Sequence, residues 1–378
     1  MKKIYITSRH LQHGGIEKVV CNLSNLFIKM NYDVIILCFY DFGKPVYDLD
    51  EKIKIVYLMK RLPRKNYSLI KLFKEKKLKK IANEIYGRCY SRYLNNRSII
   101  KYIKDVSNSI IITTRNEHTK VINKTSEDSN KLIAQLHCDY TQYEGYIDDI
   151  KNEYGNIDYL LLLNQESRSE VESILFGHNK KVKCLTVPNF IIHKEYNANI
   201  KREKQIVSVG RLSSEKGFDK LLHIWERFIV NHKDYILKIV GDGEEKESLM
   251  QLAWFLGVGD SVVFTGFLSN DKVVEEMRKS KLCVMTSLHE AFPLVLLESI
   301  SQGTPVIAYD IRVGPRSIIK DGYNGFLIED NNIETFIAKL NFLLEEYDVY
   351  NSFSKNAIDS SMLYTEERLR DIWFSILN

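Results

Sequence analysis

The sequence predicts an α/β chain made of two doubly wound parallel-sheet units, and three observations carry that prediction. Strand-length apolar runs alternate with helix-length amphipathic segments almost throughout. The alternation restarts near residue 205, as though from a new first strand. The 378 residues exceed what one ordinary core fills and suit two α/β domains.

In the first unit, Lys3–Thr7 reads as a strand, Ile16–Met30 has helical spacing of apolar residues, and Asp33–Phe39 is the next strand. Strands alternating with helices imply parallel sheets covered on both faces. In the second, Gln205–Gly210 is a strand, Phe218–Val230 a helix, and Tyr235–Val240 a strand running into Gly-Asp-Gly. Helices at Glu245–Leu256, Asp271–Ser280 and about Pro293–Ser301 then alternate with strands at Ser261–Thr265, Leu282–Met285 and Pro305–Ala308. Val187-Pro188-Asn189-Phe190 followed by the polar run His193–Lys204 suits an interdomain hinge. Glu366–Leu377 reads as an amphipathic helix containing Trp373.

Hydrophobic content of 44% and charged content of 27% place the chain among ordinary globular proteins rather than disordered or fibrous ones. No run approaches the length that spans a bilayer. The chain opens directly on a strand, with no apolar leader segment, so a cytoplasmic location is expected. Cys21, Cys38, Cys89, Cys138, Cys184 and Cys283 are scattered, with no C-x-x-C pair; buried free thiols are expected.

The net charge of +5 is unevenly placed. Between Lys60 and Lys104 stand 15 Lys or Arg against two acidic residues, Glu75 and Glu84. Apolar and aromatic residues interleave with them, giving one or two basic amphipathic helices. A solvated helix face is one reading. The other is a docking surface for anionic lipid headgroups or a lipid-diphosphate substrate. No nucleic-acid module accompanies the patch, so nucleic acid is not an expected partner.

Three constellations bear on chemistry. Gly14 and Gly15 lie between the first strand and the first helix, where backbone can approach a ligand and free N–H groups suit phosphate. A tight turn explains them almost as well, and G-G-x-E is not the dinucleotide fingerprint. In Val209-Gly210-Arg211-Leu212-Ser213-Ser214-Glu215-Lys216-Gly217, two cations follow the end of a strand. Such a pair can clamp a diphosphate, or can be two solvated charges. In Glu290-Ala291-Phe292-Pro293-Leu294-Val295-Leu296-Leu297-Glu298, Pro293 suits the first turn of a helix, which puts Glu298 one to two turns inside it. A carboxylate among apolar residues needs a partner, and ribose hydroxyls qualify.

Here the chain resembles the retaining glycosyltransferases of family 4, which have the GT-B fold. V-G-R-L-x-x-E-K-G and E-x-F-P-L-V-L-L-E carry the likeness. V-G-D-G-E at 240–244, F-T-G-F at 264–267, G-T-P-V-I-A at 303–308 and Asp321-Gly322-Tyr323-Asn324-Gly325-Phe326-Leu327 follow in the family's order. The resemblance implies two facing Rossmann-like domains with an interdomain cleft. Residues 1–188 would form an acceptor domain and 203–362 the nucleotide-sugar domain, with the helix at 363–378 packing back on the first.

It further implies that Arg211 and Lys216 neutralise the donor diphosphate, Glu298 binds ribose hydroxyls, and Glu290 meets the transferred sugar. Backbone at Ala291, Phe292 and Leu294 would touch phosphate or sugar, backbone at Phe267 and Leu268 the base, and Gly14 and Gly15 the diphosphate. His137 resembles the family histidine lining the sugar and acceptor pocket; a structural histidine is its alternative, and His118 the rival candidate. Asn189-Phe190 departs from the frequent Pro-Asn-Gly hinge, which leaves Asn189 without an assigned role.

Asp48-Leu49-Asp50 spells the D-x-D of metal-dependent transferases but does not follow a buried strand, and it reads as a loop. No metal and no cofactor are expected, since the two cations can do a metal's work. The expected activity is transfer of a hexosyl unit, with retention, from a nucleotide diphosphate sugar, UDP before GDP or ADP, to a hydroxyl. The expected acceptor is a saccharide, lipid-linked, in surface-polysaccharide assembly. A UDP-sugar epimerase of the same fold and a non-catalytic nucleotide-sugar binder are the alternatives.

Overall fold

The computed structural model of the protein describes residues 2–60, 77–179, 181–192 and 201–378. The chain divides into two compact units. The first comprises 1–162, 168–186 and Leu377; the second comprises 163–167, 187–376 and Asn378.

In the first unit the strands are β1 (Lys3–Ser8), β2 (Asp33–Asp41), β3 (Lys54–Lys60), β4 (Ile110–Thr113), β5 (Lys131–Leu136), β6 (Tyr159–Leu162) and β7 (Lys183–Thr186). All pair in parallel, in the order β3-β2-β1-β4-β5-β6-β7. Helices α1 (Gly15–Lys29), α2 (Leu78–Ile103), α3 (Asn116–Thr125), α4 (Tyr146–Glu153) and α5 (Gln165–Leu175) connect them. Ile4, Ile6, Ile36 and Leu37 are wholly buried, which is why these strands read as unbroken apolar runs.

The second unit repeats the logic. Strands β8 (Gln205–Val209), β9 (Ile236–Val240), β10 (Val262–Gly266), β11 (Leu282–Met285), β12 (Val306–Asp310) and β13 (Gly325–Glu329) form a parallel sheet, ordered β10-β9-β8-β11-β12-β13. Its helices are α6 (Phe218–Phe228), α7 (Lys246–Phe255), α8 (Asn270–Lys279), α9 (Leu294–Ser301), α10 (Ile333–Glu345), α11 (Tyr347–Ser361) and α12 (Glu366–Leu377). On α6, Phe218, Leu221, Leu222, Trp225 and Phe228 fall three or four apart and all are buried in the core with Tyr309 and Phe336. Full burial of such side chains stabilises by roughly 1.5–3 kcal/mol each.

Several sequence expectations shift. Pro293 caps α9 rather than opening it, since its ψ of 93° is not helical. Of the six cysteines, all free, Cys89 is exposed on α2 and Cys138 half-buried, so uniform thiol burial does not hold. In the basic stretch, residues 61–76 lie outside the described residues, and 78–103 form the single helix α2. Its inward residues are Ile81, Glu84, Ile99 and Ile103. Tyr86 (71% exposed), Tyr90, Tyr93 and Leu78 stand outward among Lys79, Lys80, Arg88 and Arg92. Among the described residues no helix is long and apolar enough to cross a membrane.

Candidate active site

An open parallel sheet binds ligands beyond the carboxyl ends of its strands, where successive connections leave in opposite directions. In the second unit that switch point lies between β8 and β11. The loops leaving those strands are residues 210–217 and 286–293, which contain Arg211, Lys216 and Glu290.

Backbone contacts lock the two loops together. Leu288 N–H donates to the Glu215 carbonyl at 2.8 Å, and Thr286 Oγ1 donates to the Gly217 carbonyl at 2.8 Å. Gly217 has φ +61°, and a Cβ there would lie 2.2 Å from the Thr286 carbonyl oxygen, so only glycine fits. The loop after β9 joins from beneath: Leu212 N–H donates to the Asp242 carbonyl at 2.9 Å, and Gly210 N–H to that of Val240 at 3.0 Å. From the other side Gly314, with φ +99°, approaches so closely that a Cβ would lie 2.7 Å from the Glu290 carbonyl oxygen.

These constraints bring Lys216 and Glu290 into contact. Lys216 Nζ donates to Glu290 Oε1 at 2.6 Å, and Ser287 Oγ donates to the same oxygen at 3.0 Å. Both charged side chains are mostly withdrawn from solvent, at 23% and 14% exposure. Arg211 stands apart from this pair. Its side chain is 60% exposed and Nη2 donates to Glu215 Oε1 at 2.8 Å, within its own loop. Glu298 is buried on α9 as its fifth residue, after the core residues Leu296 and Leu297 and before buried Ser299.

Phe292 buries its ring against Tyr364, centroids 5.6 Å apart, so only its backbone is available to a ligand. Leu294 is likewise buried, and Ala291 half-buried. Beyond β10, Phe267 is 58% exposed and Leu268 half-buried. Ser287 and Gly314 are parts of the site that no motif singled out. Gly314 stands next to Pro315, a turn signal that could have marked it; Ser287 has no sequence signal of its own.

In the first unit the corresponding switch point lies between β1 and β4. Gly14 is fitted there by a carboxylate: a Cβ would sit 2.0 Å from Glu17 Oε2. Glu17 is buried and accepts from Arg115 Nη2 at 3.0 Å. Gly15 opens α1 and is exposed. The fourth residue of G-G-x-E thus turns its carboxylate back over the first glycine. His118 is buried, stacked on Phe39 with centroids 4.1 Å apart, and its Nδ1 is 3.1 Å from Thr7 Oγ1. Burial first, then the Arg115 and Arg9 charges, lower its pKa to about 3. His118 is therefore a neutral core residue. His137, just past β5, is half-buried with Nε2 3.1 Å from Gln135 Oε1. Burial and then Arg115 push its pKa to about 3, so it too is a neutral imidazole. Asp48 and Asp50 lie in a loop, where Asp50 Oδ1 caps Lys52 N–H at 2.8 Å.

Two Rossmann-like parallel-sheet halves make up the GT-B fold of a glycosyltransferase. Residues 190–360 match the family model Glycosyl transferases group 1. It is 29% identical over 377 residues to an uncharacterized glycosyltransferase of Haemophilus influenzae, covering 96% of both chains. It is 28% identical to the amylovoran biosynthesis glycosyltransferase AmsD of Erwinia amylovora, covering 97% of this chain and 96% of that one. A crystal structure of TarM from S. aureus, in complex with UDP and alpha-GlcNAc-glycerol among others, aligns over 100% of both chains. Its TM-score is 0.81 at 16% identity.

Proposed function

We propose that the protein is a retaining hexosyltransferase of family 4 that moves a sugar from a UDP-sugar to a hydroxyl of a lipid-linked saccharide in surface-polysaccharide assembly. The observation that carries this reading is the Lys216–Glu290 contact at the β8/β11 switch point. Amylovoran biosynthesis in AmsD supports the polymer setting, and UDP in the TarM complex supports the nucleotide. The division of labour belongs to the same proposal: residues 1–188 serve the acceptor and 203–362 the donor.

In this reading Lys216 and Arg211 take the donor diphosphate. Arg211 is free to swing from its exposed contact with Glu215, since such a pair holds it by no more than about 1 kcal/mol. Glu298 takes the ribose hydroxyls and the backbone near Phe267 and Leu268 the base. The amides of Ala291, Phe292 and Leu294 serve phosphate and sugar, and Gly14 and Gly15 the diphosphate. Glu290 accepts from hydroxyls of the transferred sugar while steering the Lys216 ammonium. As the bond from the anomeric carbon to the phosphate oxygen breaks, charge builds on the diphosphate and the two cations stabilise it. The acceptor hydroxyl attacks from the same face, and its proton passes to the departing phosphate oxygen. His137, neutral, orients the sugar or acceptor by hydrogen bonding rather than by charge. Two cations at the leaving group make a metal unnecessary.

The eight basic residues of 77–104 stand against one acid, Glu84, which is buried and paired with Arg88. That face, with its outward tyrosines, is proposed to rest on an anionic membrane surface.

The test is product analysis by proton NMR with a panel of UDP-sugars and a saccharide acceptor. An α-linked product from an α-linked donor is expected, and an inverted product removes the retaining assignment. A new epimer formed from UDP-sugar alone would favour an epimerase instead.

A further inference from the structure

The loops at the first sheet's switch point hold charge that the donor chemistry does not use. Arg9 follows β1 directly and is exposed; Arg115 follows β4 and caps the start of α3. Arg115 is tightly set. Its carbonyl accepts from His118 N–H at 3.1 Å and Thr119 N–H at 3.0 Å, and its Nη2 rests on buried Glu17. Its Nε–H is buried and has no acceptor. Leaving a buried donor unpaired is costly, and a guanidinium presents five donors in a rigid fork made for a planar or tetrahedral oxyanion. One of those donors engages Glu17; the 22% of the side chain that reaches solvent offers others.

The surroundings are electropositive. Burial first, and then both guanidiniums, lower the proton affinity of His10 and His118, with Glu17 opposing this at His10; burial and then Arg115 do the same at His137. His10 is itself 3.8 Å from Glu17. His10 and the Arg115 fork thus meet on one buried carboxylate, Glu17, with the exposed Arg9 next to His10 in the chain. The switch point of an open parallel sheet is where a ligand is expected.

We propose that Arg115 and Arg9 bind a phosphate group carried by the acceptor, with Glu17 as the residue that positions the Arg115 fork. This rests on the glycosyltransferase reading above and narrows its acceptor to a phosphate-bearing one. The phosphate belongs either to a soluble polyol phosphate or to a polyprenyl phosphate carrier.

The experiment is a calorimetric titration of the full chain at saturating UDP, which fills the donor site and removes competition there. One arm uses sn-glycerol 3-phosphate; the other uses a polyprenyl phosphate in neutral phosphatidylcholine vesicles. Arginine-dependent binding in either arm supports the proposal and identifies the source. Arg115→Ala and Arg9→Ala are each expected to weaken that binding about tenfold or more, and Arg115→Lys by less, because it keeps charge and loses the fork. UDP affinity should stay within about twofold of wild type in Arg9→Ala, whose exposed side chain leaves the fold intact. Unchanged phosphate binding in both alanine variants, or binding seen only when UDP is absent, overturns the proposal. Should UDP itself not bind, the donor assignment fails. The same titration in Lys216→Ala, without UDP, still reads the arginines.

Discussion

Replacing Glu290 separates its two assigned tasks. Its Oε1 accepts from Lys216 at 2.6 Å and from Ser287 at 3.0 Å, and its side chain is 14% exposed. A hydrogen bond to a charged group is worth about 1.5–3 kcal/mol, and loss of one preorganised transition-state contact costs roughly 10²–10³ in kcat. Glu290→Ala should therefore lower kcat by about 10²–10³, and Glu290→Gln, which keeps one acceptor oxygen, by less. UDP affinity should move the other way or not at all, since removal of the carboxylate leaves the Lys216 ammonium wholly to the diphosphate. The assay pairs steady-state transfer with UDP calorimetry on the same samples. The reasoning is refuted if Glu290→Ala turns over at the wild-type rate. It is equally refuted if UDP affinity falls in step with kcat, which would make Glu290 a general binding residue.

Three further outcomes are expected. Chelation with EDTA should leave transfer within about twofold, because two cations rather than a metal meet the leaving phosphate; a large loss restored by a divalent ion contradicts this. His118, held near pKa 3 when folded against about 6.5 unfolded, makes the unfolded chain bind more protons as pH falls. Its contribution to stability is fully present above pH 6.5 and declines below it, by about 2 kcal/mol at pH 5, and His118→Gln should remove about that much of the acid-side slope in denaturant-measured stability, leaving the like contribution of His137. Reversing Lys77, Lys79 and Lys80 to Glu should weaken binding to anionic vesicles by more than about a hundredfold, at roughly 1 kcal/mol per basic residue; unchanged binding removes the membrane role of α2.

Most of the second unit was legible from sequence because its central strands, β8, β11 and β12, are buried on both faces. Gln205–Gly210 and Leu282–Met285 have no polar alternation to confuse their reading, and their ends place Arg211, Lys216 and Glu290. Helix ends were less legible. Pro293 is compatible with a first turn and with a cap, and only its ψ decides. Pairings among charged residues were not legible at all. Nothing in R-L-S-S-E-K tells that Arg211 turns to Glu215, four residues on, while Lys216 reaches across 74 positions to Glu290. Gly14 reads as a phosphate turn, and nothing in the motif tells that the Glu17 carboxylate, three residues later, folds back over it. Only the family resemblance ranked His137 above His118, since both follow apolar strands; burial and stacking on Phe39 settle His118 as core.

The most direct test of the account is calorimetric titration of UDP into the wild-type chain and into Lys216→Ala. One-to-one binding that weakens about tenfold or more on loss of the ammonium, with the melting temperature little changed, is the predicted result. Equal UDP affinity in the two proteins would show that the diphosphate is not held at the β8/β11 switch point.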